Sequence, residues 1–443
     1  MKKKVVLILM IVCLFCLTIT PLFSGCTKRE NKLLILTIDE YLNEDLIEEF
    51  QDYYKAVTGE SVKVEVAYTP TNEEMYSKVA MNKADYDIIV PSDYMVEKMY
   101  NANLLLKLSD DLGTDINGNA IEDYRKNVSP YLTGDTFKSF DEVNNYACAY
   151  MWGTLGIVYN REKISTEEIK EKGWASLFPE SNPGYKIQMK DSVRDTVAAA
   201  AIFTYTEQLK NGTVDINDVI NYTDATHLAE IKANLIKQKK LKDIGVFVGY
   251  ETDNGKTDVV EGTSDVLLQW SGDAVFTLSD EHYEEVLGED ERPNLAYYVP
   301  TEGANVWCDY WVIPKYSVNT KAANLWINFM CSDKAAIDSM DYIGYTSSIA
   351  TEATLEYANA AICWAEEGES EEDAIARLTE LDSDRFMYED LSYFFVGIEG
   401  ADNMFIDYIQ YPPKSLILNC AVMRDFGSTT QAMQDMWVEV KNA

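Results

Sequence analysis

Short apolar runs alternate with amphipathic stretches through the first third of the chain. Residues 33–36 form an apolar run that predicts a strand. Residues 45–54 place Leu46, Ile47, Phe50 and Tyr54 near one helical face, and Gly59 marks the stop. Residues 62–66 alternate as a second strand, 73–81 predict a helix, and Ile88, Ile89 and Val90 form a β-branched run. Strand, helix, strand, helix, strand in so short a span predicts an α/β domain with right-handed crossovers. Pro91 ends the third strand, and Ser92 and Asp93 stand where the cap of a following helix belongs, with Val96 and Met99 as its apolar positions. Open α/β sheets bind ligands just beyond the carboxyl ends of their strands. There this chain carries a hydroxyl, a carboxylate and a ring: Ser92, Asp93 and Tyr94.

Residues 104–141 are rich in loop residues. Residues 147–160 (ACAYMWGTLGIVYN) predict a long buried strand, with Gly153 and Gly156 marking a bend or a close approach of another group. In 188–201 a polar turn leads into an alanine-rich helix that Asp191 or Ser192 caps, and Asp195 falls in or near its first turn. Residues 266–270 predict a strand ending at Trp270, 296–300 a short strand, and 305–314 a longer one. Residues 224–241, 324–331 and 424–440 predict helices. Several short helices fill 352–415, around the acidic stretch 366–373.

The first 26 residues have a different grammar. Three lysines, an apolar run from Val5 to Leu22 and Phe23-Ser24-Gly25-Cys26 describe an export signal with a lipoprotein cleavage site. Cys13, Cys16, Thr18, Thr20 and Pro21 interrupt the run, which argues against a permanent membrane span. The expectation is a signal at 1–25, lipid on Cys26, a tether over 26–32 and a folded part outside the cytoplasm at the outer face of the cell membrane. Without residues 1–25, 35 basic residues face 74 acidic ones, a formal charge of −39. That excess disfavours nucleic acid and anionic lipid and favours small cations. Five cysteines follow Cys26 with no metal or disulfide spacing, and they read as small buried hydrophobes. His227 and His282 lie in charged contexts and are expected at the surface.

The sharpest chemical signal is Trp307-Cys308-Asp309-Tyr310-Trp311. Regular strand alternation places Trp307, Asp309 and Trp311 on one face. A carboxylate between indoles needs compensation. Either a lysine or arginine from elsewhere in the chain supplies it, or a cationic ligand does, its ammonium held by ring faces. The pairing of acid with ring recurs at Asp39, Glu40 and Tyr41, at Asp93 and Tyr94, and at Trp270 and Asp273, and Asp195 lies beside Ser192. Arg194 stands nearly alone as a balancing base. No GxSxG, HExxH or phosphate-binding glycine loop is present, and two histidines are too few for a histidine-based centre. Two readings remain open from the residues: a binder of organic cations, and an exported carbohydrate-binding protein or carboxylate-based glycoside hydrolase. Acids clustered with rings, without many Asn, Gln and Arg donors, favour the first.

The segments DEYLNEDLIEEF, YDIIVPSDYMVEKM, AYMWGTLGIVYN, DSVRDT, LLQWSGDA, WCDYWVIP, IGYTSS and RDFGSTTQAMQDMWVEVK resemble, in order, the extracytoplasmic polyamine-binding proteins of ABC transporters. The resemblance implies a periplasmic-binding-protein-like fold of type II. One lobe would comprise 31–148 with 310–360 and the other 149–309 with 361–443, including an enlarged insertion at 351–413. It also implies a monomer without cofactor or enzymatic turnover that closes on spermidine or putrescine and delivers it to a permease. Asp309 would hold an amine, and Trp307 and Trp270 would wall the methylenes. Tyr41, Tyr94 and Tyr345 would complete the lining, with Ser92 as a polar contact and Asp195 reaching a second amine. Ile38, Ser192 and Met423 depart from the family pattern, and Asp39 and Asp93 add acids to it. Those departures leave open a shorter diamine or another organic cation.

Overall fold

The computed structural model describes residues 31–82, 86–252, 254–288 and 292–443. The export signal and Cys26 lie outside them. Among the described residues no helix is long and apolar enough to cross a membrane.

The first unit follows the expected alternation: β1 (Lys32–Thr37), α1 (Asp45–Thr58), β2 (Lys63–Tyr68), α2 (Asn72–Asn82), β3 (Ile88–Ile89) and α3 (Asp93–Asn101). α1 forms because Leu46, Phe50 and Tyr54 recur at a spacing of four and bury one face, where Phe50 meets Trp326 at a centroid distance of 4.9 Å. Gly59 ends it in the left-handed conformation at φ 75°. β3 is shorter than its apolar run. The buried carboxylate of Asp87 just before it accepts the N–H of Leu34 and those of Val318 and Asn319, which ties the turn near 318 to this edge of the sheet.

Two long strands carry the architecture. They are β4 (Ala147–Asn160) and β8 (Val306–Pro314), buried along their whole length and paired antiparallel. Between them in sequence come β5 (Ile187–Lys190), β6 (Phe247–Glu251) and β7 (Val266–Trp270). The hydrogen-bonded order is β2-β1-β3-β8-β4-β7-β5-β6, in one sheet of eleven strands. The groups β2-β1-β3 and β7-β5-β6 are each parallel and flank the antiparallel pair. β4 runs through both regions: Ala147–Thr154 pairs with β8 and Leu155–Tyr159 with β7.

The two glycines of β4 serve close approach, as expected. A Cβ on Gly153 would come within 2.3 Å of Ser271 Oγ and 2.8 Å of the Trp307 ring, and one on Gly156 within 2.5 Å of Tyr297. Four of the five described cysteines are buried, and Cys148 and Cys331 bring their sulfurs to 3.5 Å.

Two expectations fail in detail. His282 is buried against Phe276, and burial lowers its pKa, although its neighbours in sequence are charged. The acidic region holds a two-stranded antiparallel sheet, Phe386–Glu389 with Met404–Asp407, besides its short helices. The pairing of β4 with β8 is irregular at one point: the register shifts between Cys308 and Tyr310, where Tyr150 and Met151 of β4 both stand opposite Asp309, so the bulge lies in β4 and the alternation along β8 is kept. Trp311 packs on Tyr150 and Trp326 in the core.

Candidate functional site

The stretch of β8 around Asp309 and the turn before α3 build the centre of the site together. Ser92 and Asp309 form an antiparallel bridge, and Tyr310 N–H donates to Pro91 O at 2.9 Å. The Asp93 carboxylate accepts from Tyr94 N–H at 2.6 Å and from Cys308 N–H at 3.2 Å. It thereby takes up a donor that the broken ladder would leave unmatched. Asp93 fastens the turn to β8. Its burial nevertheless pushes its pKa up to about 7, against the pull of those two N–H groups. Ser92 stands at the N-cap position without capping the helix; its Oγ accepts from Asn72 Nδ2 at 2.9 Å.

Asp309 itself is buried at 7 % exposure, and its Oδ1 makes no hydrogen bond. Burial raises its pKa to about 6 and the charge of Asp195 adds to the rise, while the Ser92 and Tyr41 hydroxyls oppose it. Among the described residues no lysine or arginine forms an ion pair with it. Rings surround this carboxyl. Tyr41 meets Tyr345 edge-on at 5.3 Å and Tyr150 at 5.6 Å, and Trp307 meets Tyr345 at 5.4 Å. The Tyr41 hydroxyl and Trp307 Nε1 are also buried without a hydrogen bond of normal geometry. Three orphaned polar atoms thus lie in one aromatic enclosure, which is what a site for a polar ligand leaves behind.

The neighbouring half has its own cations. Ser192 caps the helix α4 (Val193–Thr204), accepting from Asp195 N–H at 3.2 Å. Burial raises the pKa of Asp195; Ser192 and the Trp270 side chain donate to it, and Lys190 and Arg194 lend charge, all against that rise. Arg194 lies 3.4 Å from the centroid of Tyr94 and 3.9 Å from that of Phe426, and Tyr94 donates from its hydroxyl to Glu73. Lys190, at the end of β5, is 1 % exposed. Its ammonium sits 3.7 Å from the Trp270 ring centroid and 2.9 Å from Asp273 Oδ2. The other Asp273 oxygen accepts from Tyr345 at 2.8 Å. Burial opposes ionisation of Asp273, yet the charges of Lys190 and Lys256 and these hydrogen bonds hold its pKa below the usual value.

The structure therefore brings Tyr41, Ser92, Asp93, Tyr94, Asp195, Trp270, Trp307, Asp309 and Tyr345 into one linked set of contacts. Asp39 is exposed, with its carboxylate accepting the N–H of Glu40, and Met423 is buried beside Arg424, whose carbonyl accepts from Arg194. The sequence reading missed Lys190. The expectation that Arg194 is nearly the only base is overturned there, because a lysine ends the apolar run of β5 and turns inward. Cavities of about 370 and 300 Å³ open elsewhere, the first around Asn160 and Lys186 and the second around Asp123 and Arg125. Among the described residues no cluster could hold a metal ion.

The sequence profile of the family described as bacterial extracellular solute-binding proteins matches residues 86–362. The chain belongs to that family. Its members bind solutes outside the cytoplasm rather than transform them. The spermidine/putrescine-binding periplasmic protein of Salmonella typhimurium is 27% identical over 310 residues, 69% of this chain and 74% of that protein. A putrescine-binding periplasmic protein of Pseudomonas aeruginosa is 25% identical over 356 residues, 77% of this chain and 85% of the relative. Among solved structures, a putative spermidine/putrescine ABC transporter protein from Listeria monocytogenes has a TM-score of 0.62 at 23% identity, over 93% of this chain and 99% of that one. A lipoprotein of Treponema pallidum has 0.61 at 17%, with coverage of 93% and 100%. At these identities the structures establish the fold, which is the periplasmic-binding-protein-like fold.

Proposed function

We propose that this protein captures a diamine or polyamine of the putrescine–spermidine type and passes it to the permease of an ABC transporter. The observation that carries the reading is Asp309: a buried carboxylate, enclosed by Tyr41, Trp307 and Tyr345, that no basic residue of the described chain neutralises. A ligand ammonium supplies the missing charge, and the ring faces shield the methylenes beside it. Asp195 lies near enough to raise the Asp309 pKa through its own charge and serves as the second acceptor. Ser92 and Tyr94 complete the lining, and Asp93 holds the turn that carries them. The names of the relatives support the same class of ligand.

In this reading residues 31–148 with 310–360 form one lobe and 149–309 with 361–443 the other. Ligand contacts from both favour the closed arrangement. The contacts that pass between these segments fit closure: Arg194 stacks on Tyr94, and Asp425 N–H donates to Glu97 at 2.9 Å. Cys26 carries the lipid that keeps the monomeric receptor at the outer face of the membrane, beside its permease. Titration calorimetry with putrescine, spermidine, agmatine, glucose and maltose tests the proposal. Binding of amines and not of sugars supports it, and sugar binding without amine binding overturns it.

A further inference from the structure

Lys190 presents the features of a bound amine without being one. Its ammonium meets a ring face, a carboxylate oxygen of Asp273 and the carbonyl of Thr252 at 3.2 Å. An ammonium has three donors to place, and these partners match them. Tyr345 donates to the other Asp273 oxygen, so both oxygens at that end already have a donor and the charge of Asp273 is matched by Lys190. The free acceptors lie towards Asp309 and Asp195. Two carboxylates match two ammonium groups. A third ligand ammonium would have to settle near the Lys190 charge in a buried, weakly screened setting.

Resting on the amine-binding reading above, we propose that Lys190 is a resident ammonium filling the Trp270–Asp273 end, so that the site selects a short diamine over a triamine. The lysine side chain is itself a primary amine on a chain of methylenes. Removing it leaves a hole with the dimensions and partners of an aminoalkyl arm: a bare indole face at one side and an unpaired carboxylate at its end.

The test is titration calorimetry of putrescine and spermidine against the wild-type chain, Lys190→Ala and Lys190→Ala/Asp273→Asn. Wild type should prefer putrescine by about tenfold or more, and Lys190→Ala should move the ratio towards spermidine by about tenfold. The double variant, having lost the acceptor, should lose that shift. Ethylammonium chloride should raise the melting temperature of Lys190→Ala by more than that of wild type, because the small cation refills the hole in addition to pairing with Asp309. Equal binding of both amines by wild type overturns this inference while amine binding itself stands. A spermidine ratio that Lys190→Ala leaves within about twofold of wild type overturns it too. If neither amine binds wild type, both proposals fall. Should Lys190→Ala not fold, the wild-type preference decides alone.

Discussion

Asp273 and Asp309 are both carboxylates withdrawn from water beside aromatic rings, and among the described residues only Asp273 receives a cation from the chain. Lys190 and the Tyr345 hydroxyl satisfy Asp273 and hold its pKa down. Asp309 has hydroxyls near it, an orphaned oxygen and a pKa of about 6. Residue type and burial are similar, so the difference lies in the partner. One aspartate is finished by folding, and on the proposed reading the other is finished by a ligand. A buried charge with a partner is a structural element, whereas one without a partner is a demand on the solvent or on a solute.

Breaking the finished pair should have the largest effect. Lys190→Met leaves Asp273 without its cation, and urea unfolding should show a loss of about 3–5 kcal/mol. Neutralising the unfinished acid should act on binding instead. Asp309→Asn should weaken putrescine binding by about 2 kcal/mol or more, read by calorimetry at neutral pH.

The stability of ligand-free Asp309→Asn sharpens the contrast, because it should rise rather than fall. An acid whose pKa is raised by folding binds its proton more tightly in the folded state. Its ionisation therefore reduces stability as pH climbs from the unfolded value of about 4 to the folded value of about 6. The variant should exceed wild type by about 2 kcal/mol above pH 7 and match it near pH 4 in chemical denaturation. The smallest effects separate two phenols. Tyr345→Phe removes a hydrogen bond to a charged acceptor and should lose about 1.5 kcal/mol, whereas Tyr41→Phe, without a full hydrogen bond, should stay within about 0.5 kcal/mol.

Much of this was legible before the fold was known, because local pattern carried it. Alternating apolar runs mark the β1 to α3 unit, Gly153 marks a bend or a close approach without saying of what, and Ser192 caps α4 as its position implies. What local pattern does not carry is partnership over long distances in sequence. Lys190 reads as an ordinary lysine until Asp273, 83 residues away, comes into contact with it. His282 is flanked by acids yet turns inward to Phe276. The setting of Asp309 is invisible in WCDYW, because it depends on the turn at Pro91–Asp93 bridging the strand and on Asp93 accepting the Cys308 N–H. Those contacts set Asp309 between Ser92 and Tyr41. The pairing of acid and ring was readable in the chain, and the decision about which acid is left unpaired was made by tertiary structure.

The most direct measurement is proton release on binding, obtained by titrating putrescine at pH 6 in two buffers of different ionisation enthalpy. A carboxyl half-protonated near that pH should give up about half a proton when an ammonium pairs with it. Wild type should release that much more than Asp309→Asn, since other acids contribute equally to both. Equal proton release from the two proteins, with equal affinity, would contradict the assignment of Asp309 as the amine anchor.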